Sequence, residues 1–449
     1  METLIQPKVL KGFRDFLPNQ EILRSDLIEK LTHTYRSYGF VPIDTPVLEY
    51  TEILLRKSNG ETEKQVFRFE DNGGRDVAMR FDLTVPFARF TAEHKDELYF
   101  PFKRYHCAKV WRGEKPQAGR YREFVQCDFD IVGSDSASSD FEILSLMKAA
   151  LKEIGVDKVT IHVNHRGIFN VFLKKLGLLD KSEDILRIVD KLGKIGEDGV
   201  KQELFELFNT VAATANTAED IADFTVKQQQ ILDYINDTGS YDAVLDHISG
   251  LAGEEAAPYV QRMRDIHNMM VAAGIQSSFV LDPAITRGLD YYTGVVYETF
   301  LDELPSIGSV CSGGRYDNLA GLYMRDKVPG VGASIGLDRL IAGLEQLGVT
   351  EQKGSYLDVE IFNLDDSLAI EYQKLAAQLR EEKIAVEVFP DAKKINQQYA
   401  VTEKKNVPWG ILMTKEECSA GTFTLKNLKT REQFANCSVK DAATKILSK

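Results

Sequence analysis

The chain has 449 residues, a formal net charge of −13, 43% hydrophobic residues and 27% charged residues. These values are typical of a water-soluble globular protein with two or three domains, and they argue against a general nucleic-acid binder. No apolar run approaches the ~18 residues of a transmembrane helix, and the N-terminus has no apolar core of signal-peptide length. We therefore expect a cytoplasmic protein without membrane contact.

The first 350 residues predict a mixed core that is interrupted by helices. Leucines and a tyrosine recur at helical spacing in residues 21–37. Pro42 and Pro46 then confine the chain to an extended, edge-like path. The later stretches are, in chain order, strands and loops at 65–92 and 99–133, a helical insertion at 166–275, and strands with glycines at 278–345.

A polar break at 348–355 precedes a second alternation of strands and helices. The expected elements are strands at 358–363, 386–389 and 409–413, with helices at 367–382 and 394–404. This alternation predicts a separate α/β domain at 355–449. The segment has fourteen basic and fourteen acidic side chains, so it is neutral beside an acidic body. Its lysines are either anion-binding groups or a solvated helix face, among them Lys393, Lys394, Lys404 and Lys405.

Dispersed cysteines and histidines predict neither disulfides nor a metal site. The five cysteines form no C-x-x-C pair, which favours a reducing compartment. His162 and His165 lie three positions apart without a third candidate ligand nearby. Ordinary surface or core histidines are the favoured interpretation, so we predict no metal ligands among the protein side chains.

A basic hairpin is the first candidate for binding chemistry. Residues 110–133 place several arginines around a Pro-Gln-Ala-Gly turn between two extended segments, including Arg112 and Arg120. Forked guanidinium donors suit a triphosphate. Glu114 can accept from the amino group of a base, and Phe124 can supply a stacking face. The alternative for this stretch alone is a solvated, charged hairpin.

Glycines and phenols mark two further candidates. The glycines of GVGASIGLDRL (330–340) miss the dinucleotide fingerprint but let the backbone pass close to a flat ligand, with Arg339 on the following helix. A crowded strand-to-helix joint explains them equally well. RGLDYYTG (287–294) places Arg287, Tyr291 and Tyr292 within a few positions. Carboxylate, amide and phenol groups for a small polar ligand come from Asp82 and Thr84 in a strand-like setting, and from Gln126, Asp130 and Tyr316.

Together these peptides carry a family resemblance. Arg112-Gly-Glu114 with GRYREF resembles the second motif of class II aminoacyl-tRNA synthetases, GVGASIGLDRL resembles the third, and the segment around Pro46 resembles the first. RGLDYYTG and GGRYD are similar to two peptides of the histidyl-tRNA synthetase family, as is KGFRDFLP near the start. The likeness extends over nearly the whole chain.

The resemblance implies an α+β fold. A class II catalytic domain at 1–350 would contain a six- or seven-stranded antiparallel sheet flanked by helices, with the helical insertion at 166–275, and an anticodon-binding α/β domain would follow at 355–449. The first motif would form the interface of a homodimer. The implied activity is that of a histidine–tRNA ligase, which joins L-histidine to the 3′-terminal adenosine of tRNA(His) through histidyl-adenylate, with ATP and its Mg²⁺.

The resemblance also implies roles for individual residues. Arg287 and Arg112 would be catalytic. The contacts to histidine would be Asp82, Thr84, Gln126, Asp130, Tyr291, Tyr292 and Tyr316. The contacts to ATP would be Arg112, Glu114, Arg120, Phe124, Arg287 and Arg339. The alternative is a catalytically silent regulatory or tRNA-sensing paralogue, although such chains usually lose the motif arginines or the C-terminal domain.

Overall fold

The computed structural model describes residues 4–55, 60–117, 119–211, 218–285, 291–350 and 353–448. Contacts divide the chain into two compact units, one comprising residues 1–14 and 27–349 and the other 15–26 and 350–449. The predicted helix at 21–37 is confirmed as α1 (Pro18–Ser37).

A mixed eight-stranded sheet forms the centre of the first unit, in the order β1-β5-β6-β11-β10-β9-β7-β8. Its strands are β1 (Val41–Pro42), β5 (Phe102–Trp111), β6 (Glu123–Val132), β7 (Val159–His165), β8 (Phe279–Leu281), β9 (Val295–Leu301), β10 (Cys311–Tyr316) and β11 (Gly330–Gly336). The six inner strands are antiparallel, as expected. The expected number of strands was too small, because short β1 and β8 add parallel partners at the two edges.

Alternation along the inner strands gives this sheet one apolar and one polar face. Cys127, Phe129 and Ile131 of β6 are fully buried on one side. Helix α5 (Ala137–Glu153) packs against β6 and β11, and its Leu144 and Met147 are also fully buried. The core therefore lies between α5 and the apolar face, and the opposite face is left for polar side chains.

A smaller sheet precedes an unpredicted helix. Strands β2 (Leu48–Tyr50), β3 (Arg68–Glu70) and β4 (Asp76–Met79) pair in the order β2-β4-β3. The expectation that Thr84 lies in a strand was wrong, since Thr84 begins α4 (Thr84–Glu93). Pro86 lies in the first turn of this helix, where a missing backbone N–H costs nothing.

The region between β7 and β8 is helical, as the composition of 166–275 predicts. Its α-helices are α6 (Arg166–Lys175), α7 (Ser182–Val189), α8 (Leu192–Val211), α9 (Ala218–Ile235), α10 (Tyr241–Ala252) and α11 (Ala257–Ala272). The other helices of this unit are α2 (Thr51–Leu55), α3 (Gly60–Gln65) and α12 (Leu337–Gln346). The insertion leaves and re-enters the sheet at its β7–β8 edge, so α6 directly follows β7, and α11 packs against α5.

The second unit contains a five-stranded sheet in the order β13-β12-β14-β15-β16. Its strands are β12 (Val359–Ile361), β13 (Val386–Val388), β14 (Trp409–Leu412), β15 (Phe423–Asn427) and β16 (Gln433–Cys437). Its other helices are α13 (Ala369–Glu381), α14 (Ile395–Lys404), α15 (Lys415–Ala420) and α16 (Val439–Leu447). The five elements predicted between 358 and 413 are all present, whereas α15, β16 and α16 were not predicted. Val359, Ile411 and Leu425 form part of an apolar core of this unit's own.

Candidate active site

The polar face of the large sheet forms a floor where β6 meets β11. Alternation along β6 directs three polar side chains to this face, Gln126, Asp128 and Asp130. Gly332 lies opposite Asp130, and a Cβ there would approach Asp130 Oδ1 to 1.9 Å. Glycine is therefore required at this position for the carboxylate to occupy the floor.

Asp130 is held by a phenol and a guanidinium. The Tyr316 hydroxyl donates to Asp130 Oδ1 at 2.6 Å. Arg104 Nη2 lies 2.7 Å from Asp130 Oδ2, as an ion pair whose angle is outside hydrogen-bond geometry. Burial raises the pKa of the Asp130 carboxyl, and Arg104 and the Tyr316 hydroxyl oppose that rise. The side chain is thus fixed in a buried position with its negative charge only partly balanced.

Asp82 makes a second aspartate–tyrosine pair. It lies in the turn before α4, where its Oδ1 accepts from the Val85 backbone N–H at 3.1 Å. Its Oδ2 accepts from the Tyr291 hydroxyl at 3.3 Å, and Thr84 also hydrogen-bonds the Tyr291 side chain. Burial raises the pKa of Asp82 to about 6, opposed by the Val85 N–H and by Arg112. Two acidic acceptors therefore flank the same pocket.

Contacts among three tyrosine rings bring the two pairs together. The Tyr291 ring centroid lies 5.0 Å from that of Tyr292 and 6.0 Å from that of Tyr316, and both contacts are edge-to-face. Gln126 completes the set through a 2.8 Å hydrogen bond from its Nε2 to Ser334 Oγ. Its Oε1 is buried and has no hydrogen-bond partner within the described part of the chain. Contacts thus join six of the seven residues predicted to contact histidine, and Gln126 lies on the same face of β6 as Asp130. This group of side chains is called the pocket below.

Sequence reasoning missed three charged or titratable residues beside Asp130. Arg104 is fully buried, and its Nη2 lies 4.0 Å from Asp128 Oδ2. Burial raises the pKa of Asp128 to about 7, and its Oδ1 has no hydrogen-bond partner among the described residues. His106 Nε2 lies 2.9 Å from Asp44, and burial lowers the pKa of His106 to about 4, so the ring is neutral at pH 7. The available signal was the alternation in KRYHC and QCDFD, which places these side chains on the face of Asp130.

The predicted ATP contacts lie on the hairpin between β5 and β6 and on the helix after β11. Arg112 donates from Nε to the Phe81 carbonyl at 3.0 Å, and its guanidinium carbon lies 5.2 Å from the Phe124 ring centroid. Its positive charge also acts on Asp82. Arg112 therefore adjoins the tyrosine-lined pocket, and Phe124 offers an aromatic face beside it.

Farther along the hairpin, two predicted ATP contacts bind each other. Arg120 Nη1 donates to Glu114 Oε2 at 3.3 Å, and both side chains are partly exposed. Arg339 of α12 donates from Nη1 to the Ser309 carbonyl at 2.8 Å. A Cβ at Gly119, on the hairpin, would lie 3.4 Å from Arg339 Cγ. The hairpin and α12 thus lie side by side with three of the predicted phosphate or base contacts.

Two predictions remain, one on residues outside the described ranges and one on the lysines of the second unit. Arg287, and Asp290 beside the tyrosines, are outside the described residues. In the second unit, Lys405 Nζ lies 2.6 Å from Glu387 Oε2 and 3.6 Å from the fully buried Glu360. Lys405 is therefore engaged within its own unit, and it is a poor candidate for an anionic partner. Lys394 and Lys404 are exposed.

All five cysteines are free. Among the residues that the structure describes, no group of three or more His, Cys, Asp or Glu side chains is arranged to hold a metal ion. The helices within the described ranges are each too short or too polar to span a bilayer.

The antiparallel inner strands carry a polar face, a basic hairpin joins two of them, and a glycine-rich strand leads into an arginine-bearing helix. Together these features define the core of a class II aminoacyl-tRNA synthetase. Comparison with models of protein families narrows this class to one family. A model described as histidyl-tRNA synthetase matches residues 12–340, and one described as anticodon binding domain matches 358–449. The chain belongs to the histidyl-tRNA synthetase family, and it is accordingly an aminoacyl-tRNA ligase.

Individual relatives match along almost the full length. The histidine–tRNA ligase of Treponema denticola is 59% identical over 93% of this chain and 91% of its own. That of Treponema pallidum is 52% identical over 95% of each chain. The crystal structure of histidyl-tRNA synthetase from Nostoc sp. PCC 7120 has a TM-score of 0.86 at 31% identity, covering 99% of both chains. The relatives thus cover both units.

Proposed function

We propose that the pocket of the first unit activates L-histidine with ATP and then transfers the histidyl group to tRNA(His), the reaction of a histidine–tRNA ligase. The observation that carries this proposal is the pair of aspartate–tyrosine contacts, Asp82 with Tyr291 and Asp130 with Tyr316, which are joined by the edge-to-face contact between the two tyrosine rings. A pocket with two acidic acceptors and three phenols suits a compact ligand with an ammonium group and a nitrogen-containing ring.

The two ends of histidine would use different partners. Its ammonium group would lie against Asp82, Thr84 and the free oxygen of Gln126, and its imidazole would lie against Asp130 and the tyrosines. The two ring nitrogens then meet groups that can donate or accept. An amino acid without such a ring would leave buried polar groups unpaired, which disfavours its binding.

Activation needs little acid–base chemistry from the protein. A carboxylate oxygen of histidine attacks the α-phosphorus of ATP. The bond between the α-phosphorus and the oxygen that bridges it to the β-phosphorus breaks, and pyrophosphate leaves with that electron pair. We assign Arg112 and Arg287 to the negative charge that develops on the α-phosphate, and Glu114, Arg120, Phe124 and Arg339 to the rest of ATP. Fixed cations stabilise such a transition state, and orientation supplies most of the remaining rate.

In the second step, the histidyl group passes from the adenylate to the tRNA. A ribose hydroxyl of the terminal adenosine attacks the histidyl carbonyl, and AMP leaves. Magnesium would enter bound to the phosphates of ATP, which are the oxygen ligands that it prefers. The second unit would bind the anticodon stem-loop, and the reaction would take place in the cytoplasm.

Amino-acid-dependent exchange of labelled pyrophosphate into ATP tests the proposal. The assay uses a panel that includes histidine, glutamine, phenylalanine and tyrosine. Exchange with histidine alone is expected, and histidine should then appear on tRNA(His). Exchange with another amino acid would make that amino acid the substrate of the pocket. No exchange with any of them would support the catalytically silent paralogue, which none of the contacts described above favours.

A homodimer is proposed from the small sheet beside the first motif. Tyr50 and Phe69 lie on either side of Val77 in neighbouring strands and are 51% and 45% exposed. Val47 and Leu48 extend this apolar surface. A second copy related by a two-fold axis would cover the same patch on both chains. A sedimenting species of ~50 kDa at micromolar concentration would contradict the dimer.

A further inference from the structure

The back of strand β10 is held by a buried ionic network. Arg315 and Tyr316 are consecutive in β10, so their side chains point to opposite faces of the sheet. Tyr316 faces the pocket, whereas Arg315 is 1% exposed and donates from Nε to Asp140 Oδ1 at 2.8 Å. Asp140 belongs to the first turn of α5 and is completely buried. One guanidinium thus fixes the strand behind the pocket to α5.

The same arginine supports the other tyrosine-bearing segment. The Arg315 carbonyl accepts from the Thr293 backbone N–H at 2.7 Å, and its side chain packs on Gly294, where an added Cβ would lie 3.0 Å from Arg315 Cδ. Thr293 directly follows Tyr291 and Tyr292 in the chain. Arg315 therefore contacts both polypeptide segments that contribute phenols to the pocket.

The helical insertion reaches this network through α11. Arg262 donates from Nε to Asp140 Oδ2 at 2.5 Å and from Nη1 to Asp135 Oδ1 at 2.8 Å. Asp140 thus lies between two guanidiniums, one from the insertion and one from β10. Two oxygens of one buried carboxylate are each committed to a different arginine, so loss of one donor leaves the carboxylate free to turn.

We propose that Arg262 is a positioning residue for histidine binding, which acts through Asp140 and Arg315 on the tyrosines of the pocket. The inference rests on the proposed function, because it concerns the same pocket. Without the Arg262 guanidinium, the Asp140 carboxylate keeps only its contact with Arg315 among the two arginines. The carboxylate can then turn, and the Arg315 side chain can shift with it. The tyrosine edge of the pocket loosens, while the hairpin arginines on the other side keep their contacts. The affinity for histidine should fall and that for ATP should not.

Pyrophosphate exchange by full-length Arg262→Gln tests this proposal. We expect the KM for histidine to rise about tenfold while the KM for ATP stays within about twofold. The matched control is Arg264→Gln on the same helix, whose partner Asp246 is at the surface. Arg262→Lys keeps one charged contact and should recover part of the histidine affinity.

A second variant covers the case in which Arg262→Gln does not fold. Asp135→Asn weakens the contact of Asp135 with Arg262 at 2.8 Å and its longer contact with Arg315 at 3.6 Å, leaves Asp140 intact, and should raise the KM for histidine about twofold to threefold. Unchanged KM values, equal increases for histidine and ATP, or the same split in Arg264→Gln would each overturn the proposal. If the variants give one of these results while the wild-type protein exchanges pyrophosphate with histidine, the role of Arg262 is overturned and the proposed function stands. A wild-type protein that does not exchange with histidine overturns both.

Discussion

The Tyr316 hydroxyl donates to Asp130 Oδ1 at 2.6 Å, inside a pocket where both residues are almost completely buried. A carboxylate at that depth is costly unless donors surround it. Here one donor is a phenol that belongs to the pocket itself. The contact therefore stabilises the buried carboxylate and orients the acceptor that we assign to the imidazole.

Tyr316→Phe should weaken histidine binding more than ATP binding. The substitution keeps the ring and removes one donor to Asp130, at a cost of about 1–2 kcal/mol, or roughly a tenfold rise in the KM for histidine. Tyr323→Phe is the control, because its hydroxyl donates to the Ile53 carbonyl at 3.0 Å instead of to either aspartate of the pocket. Equal losses for histidine and ATP would show that the Tyr316 hydroxyl is merely structural.

Asp128→Asn should stabilise the protein relative to wild type, and by more at pH 8 than at pH 5. The pKa of Asp128 is about 7 in the folded protein, against 3.8 for an ordinary aspartate. The folded state thus holds this proton more tightly, and the free energy of unfolding falls as pH rises from about 4 to about 7. Asparagine removes this loss, which we place on the order of 2 kcal/mol because Arg104 and Asp130 share the titration.

Thermal melting of both proteins at pH 5 and pH 8 measures the effect. The variant should melt slightly above wild type at pH 5 and further above it at pH 8. Asp71→Asn is the control with the opposite shift, since the Arg75 side chain lowers the pKa of the exposed Asp71. Its effect should be the same at both pH values. An equal change at both pH values for Asp128→Asn would contradict buried titration at that position.

Much of the fold was predictable because its elements carry local signals. The C-terminal strands and α14 follow from alternation and helical spacing. In contrast, α4 was missed because its Val, Phe and Thr residues are typical of strands, and only the Asp82 bond to the Val85 N–H reveals the helix start. Prolines predicted the extended, edge-like path of β1, and β8 lies at the start of the predicted strands at 278–345, but two or three residues carry no period that shows their parallel pairing.

The candidate site was predictable only in part. Asp130, Tyr316 and the tyrosine pair were found through peptides that resemble a known family. Arg104 and Asp128 were missed because their role depends on strand register, which pairs Arg104 with Asp130 across β5 and β6. The ion pairs of Lys405 were missed for a similar reason. Its partners Glu360 and Glu387 are close only because β12 and β13 are parallel and in register.

Arg287→Ala should abolish most pyrophosphate exchange and leave histidine affinity nearly intact. Our assignment gives Arg287 a contact that strengthens as charge moves onto the α-phosphate, so its loss acts on the transition state. We expect exchange to fall by about 10²-fold or more. Exchange kinetics and direct histidine titration separate the two effects. Near-normal exchange would remove Arg287 from the mechanism.

Two adjacent lysines of the second unit should behave differently when each is changed to alanine. Lys404 is exposed, whereas Lys405 lies between Glu387 and the fully buried Glu360. Lys404→Ala should weaken tRNA binding, flatten its dependence on salt, and leave the melting temperature unchanged, because a phosphate contact releases counterions.

Lys405→Ala should instead lower stability, by up to about 3 kcal/mol, because a buried carboxylate loses its cation. Burial already raises the pKa of Glu360 to about 7, and Lys405 opposes that rise. Without Lys405 the pKa rises further, so the ionised form costs more, and the loss should be larger at pH 8 than at pH 5. Melting curves at the two pH values, with tRNA titrations at several salt concentrations, measure both variants. A stable Lys405→Ala protein with weakened tRNA binding would reverse the assignment of the two lysines.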